Sequence, residues 1–175
     1  AQKSPREGHL DFTLAGHTGA VHSVAYSPDG ASVLTGSWDG SAKLWNTATG
    51  ELIRTLRNPN DPSVWSVVFS PDGSTAVTGA FNNIRFWNLE TGQELRSFTG
   101  TMQSVVALAM SPDGTRLVSG SPTAVATVWD LETGEPIYTL EDHTDWVVSV
   151  AFSPNGASLL TGSWDGTAKL WDLGT

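Results

Sequence analysis

Apolar and polar positions in this chain alternate with a period of two, in short runs that end at Gly, Pro, Asn or Asp. Val21-His22-Ser23-Val24-Ala25-Tyr26 is an apolar and small-residue run closed by Ser27-Pro28-Asp29-Gly30, whose Pro and Gly set a tight turn. Residues 32–35 follow, then the turn Trp38-Asp39-Gly40, residues 42–45, a turn through Thr49-Gly50, and residues 51–56. No segment reads as a long helix. The pattern predicts an all-β chain built from four-strand units joined by hairpins. The first strand of a unit is the most apolar, as the deepest strand of a packed sheet should be. The fourth, Glu51-Leu52-Ile53-Arg54-Thr55-Leu56, alternates charged and apolar residues, as an outer edge strand should.

The unit repeats. Trp45-Asn46, Trp87-Asn88, Trp129-Asp130 and Trp171-Asp172 recur every 42 residues, and Leu14, Leu56, Phe98 and Leu140 keep the same step. The Ser-Pro-Asp-Gly turn returns at residues 70–73 and 111–114 and, as Ser-Pro-Asn-Gly, at 153–156. Four-stranded units at this period match the blades of a β-propeller. The Trp-Asp dipeptide, the Gly16-His17 pair and the Ser-Pro-Asp-Gly turn, met four times in register, closely resemble the WD40 repeat over residues 9–175. The resemblance implies a toroidal propeller with no catalytic activity of its own and a scaffold role in binding other macromolecules. It divides the chain into an N-terminal tail (1–8), a leading outer strand (9–14), and repeats at about 15–56, 57–98, 99–140 and 141–175.

It also implies a buried relay in each blade, from a His through an Asp and a Ser/Thr to the Trp indole. The first repeat supplies His17, Thr35, Asp39 and Trp45; the fourth supplies His143, Thr161, Asp165 and Trp171. The second offers Asn60, Thr78, Asn82 and Trp87, with a hairpin one residue shorter, and the third Thr101, Ser119, Thr123 and Trp129. Those two relays are degraded, which predicts less rigid middle repeats. A His-Asp-Ser/Thr set invites comparison with a hydrolase, but it recurs once per repeat, ends in an indole donor and lacks a Gly-x-Ser-x-Gly elbow. It reads as structural. His9, His17, His22 and His143 are too scattered for a metal site, so no metal, no cofactor and no enzyme activity are expected.

Four of the eight tryptophans belong to the repeat itself. Trp38 and Trp164 precede the relay aspartates, with Phe81 and Pro122 in the corresponding places. Trp65 shares its first-strand place with His22, Val106 and Val148, and Trp146 opens the fourth repeat's first strand. In the family such positions line the narrow face around the central channel, which makes Trp38, Phe81, Trp164, Trp65, Trp146 and His22 a candidate face for a peptide or protein. Packing between blades is the alternative for Trp65. Arg85, Lys43 and Lys169 read as solvated third-strand residues.

Nine basic against eighteen acidic residues give a net charge of −9, which argues against nucleic acid and anionic lipid as partners. No apolar stretch approaches the ~20 residues of a membrane helix, so no membrane partner is expected. The absence of cysteine fits a cytoplasmic protein. The start Ala1-Gln2-Lys3, without methionine, suggests a processed or excised chain.

Four repeats are few for this family, and a four-bladed ring would turn about 90° per blade where eight blades turn about 45°. The fourth repeat stops after a third strand. Residues 7–14 align with 91–98, so the segment holding Leu10, Phe12 and Leu14 reads as the missing outer strand, moved to the front, a closure that the family uses. The reading is an eight-bladed ring of two identical chains exchanging that strand. Residues 27–45 and 153–171, which flank the seam, differ at three of nineteen positions. The alternative is an excised or engineered half-propeller with a purely structural role.

Overall fold

The computed structural model describes residues 8–57 and 60–174, without the side chains of residues 100–102. It contains four antiparallel sheets in chain order. The first is β1 (Val21–Tyr26), β2 (Ser32–Ser37), β3 (Ser41–Asn46) and β4 (Leu52–Arg57); the second is β5 (Val64–Phe69), β6 (Thr75–Asn88) and β7 (Glu94–Ser104). The third is β8 (Ala107–Met110), β9 (Arg116–Gly120), β10 (Ala126–Asp130) and β11 (Pro136–Leu140); the fourth is β12 (Val147–Phe152), β13 (Ser158–Ser163) and β14 (Ala168–Asp172).

Local chemistry fixes each hairpin. In the first turn, Ser27 Oγ donates to Asp29 Oδ1 at 2.6 Å and accepts the Ser32 N–H at 2.9 Å, while the Ala31 N–H donates to Asp29 Oδ1. Gly30 closes the turn at φ 71°, a conformation that costs glycine nothing. Ser111 and Asp113 repeat the arrangement, and the Ser111 hydroxyl and Thr115 N–H hold the Asp113 carboxyl down to about 2. The residue after each repeat Trp makes the last turn: Asn46 Oδ1 accepts the N–H groups of Ala48 and Thr49, and Asp130 Oδ1 those of Glu132 and Thr133. That is why the dipeptide carries Asp or Asn.

The core lies between sheets. Leu34, Ala42, Leu44 and Leu56 of the first sheet meet Val64, Val67, Phe69 and Trp87 of the second. The next two junctions repeat this plan, with Ile84 and Phe98 against Leu108 and Leu117, then Val118 and Val128 against Val147 and Leu159. First strands are neighbours along the stack, β1 with β5, β5 with β8 and β8 with β12.

The four strands expected of every internal repeat are corrected in the second sheet. The four sheets of the chain do not close into a ring. The second sheet shows three strand elements, because its shortened hairpin leaves β6 running unbroken through Asn82 at φ 61°. Its residues 76–80 pair with β5 and residues 83–87 with β7, so β6 does the work of two strands. The fourth sheet has three strands, as expected of a repeat that stops after its third, and in a single chain residues 8–14 form no strand. The edge of β14 lies at the far end of an open array from them. Instead, Leu10, Phe12 and Leu14 border a cleft of about 230 Å³ with Tyr26 and Val33 on the first sheet.

Candidate binding face and the buried relays

In the first sheet, His17 Nδ1 donates to Asp39 Oδ2 at 2.8 Å, since an ionised carboxylate only accepts. Nε2 is then the acceptor for the Thr35 hydroxyl at 2.7 Å, and Thr35 Oγ1 takes the Trp45 indole N–H at 2.9 Å. The fourth sheet repeats the chain through Asp165, His143, Thr161 and Trp171 at 2.7, 2.8 and 2.8 Å. Burial tends to raise the Asp39 pKa, but the Ser41 hydroxyl, the Thr18 N–H and His17 outweigh it and hold the carboxyl well below the usual range. Asp165 is likewise lowered, by the Thr167 hydroxyl first, against burial, with His143 and Thr144 adding to it.

The middle sheets are built differently. Trp87 and Trp129 still donate to Thr78 and Ser119, at 2.9 and 2.8 Å. In the second sheet a buried carboxylate, Asp61, accepts from Asn83 Nδ2 and Arg85 Nε, both at 2.8 Å, and Arg85 also clasps Glu94. The sequence pattern points to Asn60 and Asn82 and to a solvated Arg85; the cluster is built on Asp61, Asn83 and Arg85. The signal was available, because Arg85 holds the place of Lys43. That lysine is itself buried and donates to Thr55, and Lys169 pairs with Asp142. In the third sheet, Thr123 meets Ser121 at 3.0 Å; the Thr101 side chain lies outside the described residues.

The six candidate face residues fall into groups. His22 stacks on Trp38 at 5.4 Å between ring centroids, and Trp65 from the second sheet meets both edge-on at 5.0 and 5.4 Å. Trp146 stacks on Trp164 at 4.8 Å with planes 10° apart. Phe81 is exposed in the second sheet. Among the described residues no ring contact joins the two groups. His22 and Trp65 also border a cleft of about 280 Å³ along the first strands of all four sheets, with Ser23, Ser66, Val106 and Ser149. Among the described residues, no three His, Cys, Asp or Glu are grouped to hold a metal, and no helix is long and apolar enough to cross a membrane.

Trp38 is 48% exposed and Trp164 63%. Replacing both with serine is expected to leave the urea midpoint nearly unchanged; a loss of several kcal/mol would place them in the core.

Four hairpin-built sheets stacked face to face on a 42-residue period define a repeat protein of the propeller-blade type. The chain belongs to the family described as WD domain, G-beta repeat, which matches residues 8–46, 50–88, 92–130 and 134–172. It is similar to the small ribosomal subunit protein RACK1 of Caenorhabditis elegans, 34% identical over 115 residues, which is 60% of this chain and 35% of that protein. RACK1y of Oryza sativa subsp. japonica is 36% identical over 118 residues, covering 63% of this chain and 34% of that protein. The periodic tryptophan protein 2 homolog of Dictyostelium discoideum is 33% identical over 109 residues, 61% of this chain and 12% of that protein. The chain thus spans about a third or less of these relatives. WD40 domains are typically non-catalytic protein-interaction scaffolds.

Proposed function

We propose that this chain is a non-catalytic interaction scaffold that completes its propeller with a second copy, as a homodimer of eight blades. In this reading residues 9–14, with Leu10, Phe12 and Leu14, are exchanged reciprocally onto the open β14 edges. The face holding Trp38, Trp65, His22, Trp146, Trp164 and Phe81 then receives a peptide or protein, since clustered exposed indoles are the residues on which interfaces depend most.

The observation that carries the reading is the placement of Phe12. Arg54 and Arg96 reach from β4 and β7 to the following sheet, where they donate to the Glu90 and Leu131 carbonyls, and Tyr138 from β11 donates to Leu173. Arg54 lies over Gly92. Phe12, one 42-residue step before Arg54, lies in the same way over Gly50. This likeness supports reading the leading segment as the counterpart, against the first sheet, of a preceding blade's outer strand. A fourth sheet docking there would find its missing strand already waiting.

Light scattering on the full chain should give about twice 18.6 kDa. Deleting residues 1–14 should leave an unstable monomer or an aggregate, since an unpaired edge invites non-specific pairing. A cooperatively folded 18.6 kDa monomer would overturn the self-association.

A further inference from the structure

Every junction inside the chain has the same knob and socket. The second strand of each sheet carries a glycine next to the relay hydroxyl, at Gly36, Gly79, Gly120 and Gly162. A Cβ built on Gly36 would lie 2.8 Å from Val67 Cγ1 and 2.9 Å from Val64 Cγ1; on Gly79 it would lie 2.6 Å from Val105 Cγ1. On Gly120 it would lie 2.5 Å from the Val147 carbonyl oxygen and 3.1 Å from Val147 Cγ1. The valine entering each next sheet thus fills space that only glycine leaves open.

At Gly162 the same Cβ would meet, among the described residues, only Ser149 of its own sheet, at 3.5 Å. At the other end, Val21 and Val24 occupy the register positions of Val64 and Val67, opposite Ser37 and Thr35 as those are opposite Ala80 and Thr78. They are 49% and 71% exposed. The chain carries one socket without a knob and one pair of knobs without a socket.

The surrounding faces match as well. Leu160 and Leu170 repeat Leu34 and Leu44; Leu44 is 5% exposed and Leu170 76%. Tyr26 and Val33 repeat Phe152 and Leu159, which are packed in the third junction. Backbone bridges recur too, from the Val105 N–H to the Ala80 carbonyl and from the Val147 N–H to the Ser121 carbonyl, both 3.0 Å.

We infer that the two end faces are one docking surface for a second copy of this chain. Gly162 of one copy receives Val21 and Val24 of the other, Leu160 and Leu170 cover Tyr26 and Val33, and the Val21 N–H donates to the Ser163 carbonyl. The contact is heterologous, and two such seams close a two-copy ring. The inference rests on the self-association proposed above and adds which atoms meet.

The chain has no cysteine, so Gly162→Cys with Val21→Cys introduces its only thiols. At the corresponding internal junction, a Cβ on Gly79 lies 3.0 Å from Val105 Cβ, so the two positions need to part by only about 1 Å to reach the ~3.8 Å of a disulfide. Mild copper–phenanthroline oxidation of the full-length double variant should give a reducible band at twice the chain mass with no free thiol. A ladder of larger species would keep the seam and remove the closed two-copy ring. Free thiols on a monomer would overturn the seam. A fast-running monomer without thiols would show the seam closing within one chain and overturn the second copy as occupant.

Gly162→Leu is the complementary variant, because none of the described residues of one chain crowds that position. Its expected mass by light scattering is 18.6 kDa with an unchanged circular dichroism spectrum. A variant still at twice that mass would sink the socket while leaving self-association standing. A monomeric parent chain would take down both.

Discussion

A single methyl group at Gly79 is expected to cost about 3 kcal/mol, at the upper end of overpacking penalties. The new Cβ would sit 2.6 Å from Val105 Cγ1, 3.0 Å from its Cβ and 2.9 Å from its carbonyl oxygen. Two of those atoms cannot rotate away. Relief needs the start of the third sheet to move, and the Val105 N–H bridge to Ala80 with it. Gly8→Ala, at a residue with no atom of the described residues within 4 Å of its added Cβ, is the control and should shift stability by no more than a few tenths of a kcal/mol. Urea denaturation of the two variants decides the matter. Equal midpoints would mean that the sheets are not in the close contact described.

Asp39→Ala should cost about 1–3 kcal/mol, because it orphans a buried His17 Nδ1–H together with the Thr18 N–H and Ser41 hydroxyl. Asp165→Ala acts in the same direction through His143 and Thr167. Thr123→Ala touches an exposed hydroxyl in the third sheet and should cost clearly less. Similar losses at Asp39 and Thr123 would show that the relay does not support the sheet. The acid limb gives a second reading. A carboxyl whose folded pKa is depressed binds its proton more readily when unfolded, so its contribution is intact above an ordinary Asp value of about 4 and drains away below it. Asp39→Ala should therefore flatten the fall in stability between about pH 4 and pH 2, measured by urea melts across that range.

Periodicity made the sheets legible because every hairpin is encoded locally. Ser27, Asp29 and Gly30 form their turn with no help from another sheet. The two full relays were legible for a related reason: His17, Thr35, Asp39 and Trp45 lie within one repeat. The second sheet was misread where chemistry replaced pattern. Asp61, Asn83, Arg85 and Glu94 build an ion-pair cluster, of which the fourth repeat keeps only the Lys169–Asp142 pair at the place of Arg85. Contacts between sheets left no trace in a repeat read alone. The packing of Trp65 on His22 and Trp38 depends on how the second sheet sits beside the first. Residues 9–14 show the same limit, because a strand's identity in sequence does not say whether its partner is within reach.

The junctions join only sheets that follow one another along the chain, so local opening can be counted in junctions lost. The second and third sheets are covered on both faces, the first and fourth on one. Detaching an end sheet gives up one junction, whereas freeing a middle sheet gives up two, as in any one-dimensional stack with nearest-neighbour coupling. The sheets with complete His–Asp relays are the two at the ends, where neighbours supply least. In a chain that has not met its second copy, those relays act as internal ballast, holding together the sheets that fluctuate most easily away from the stack.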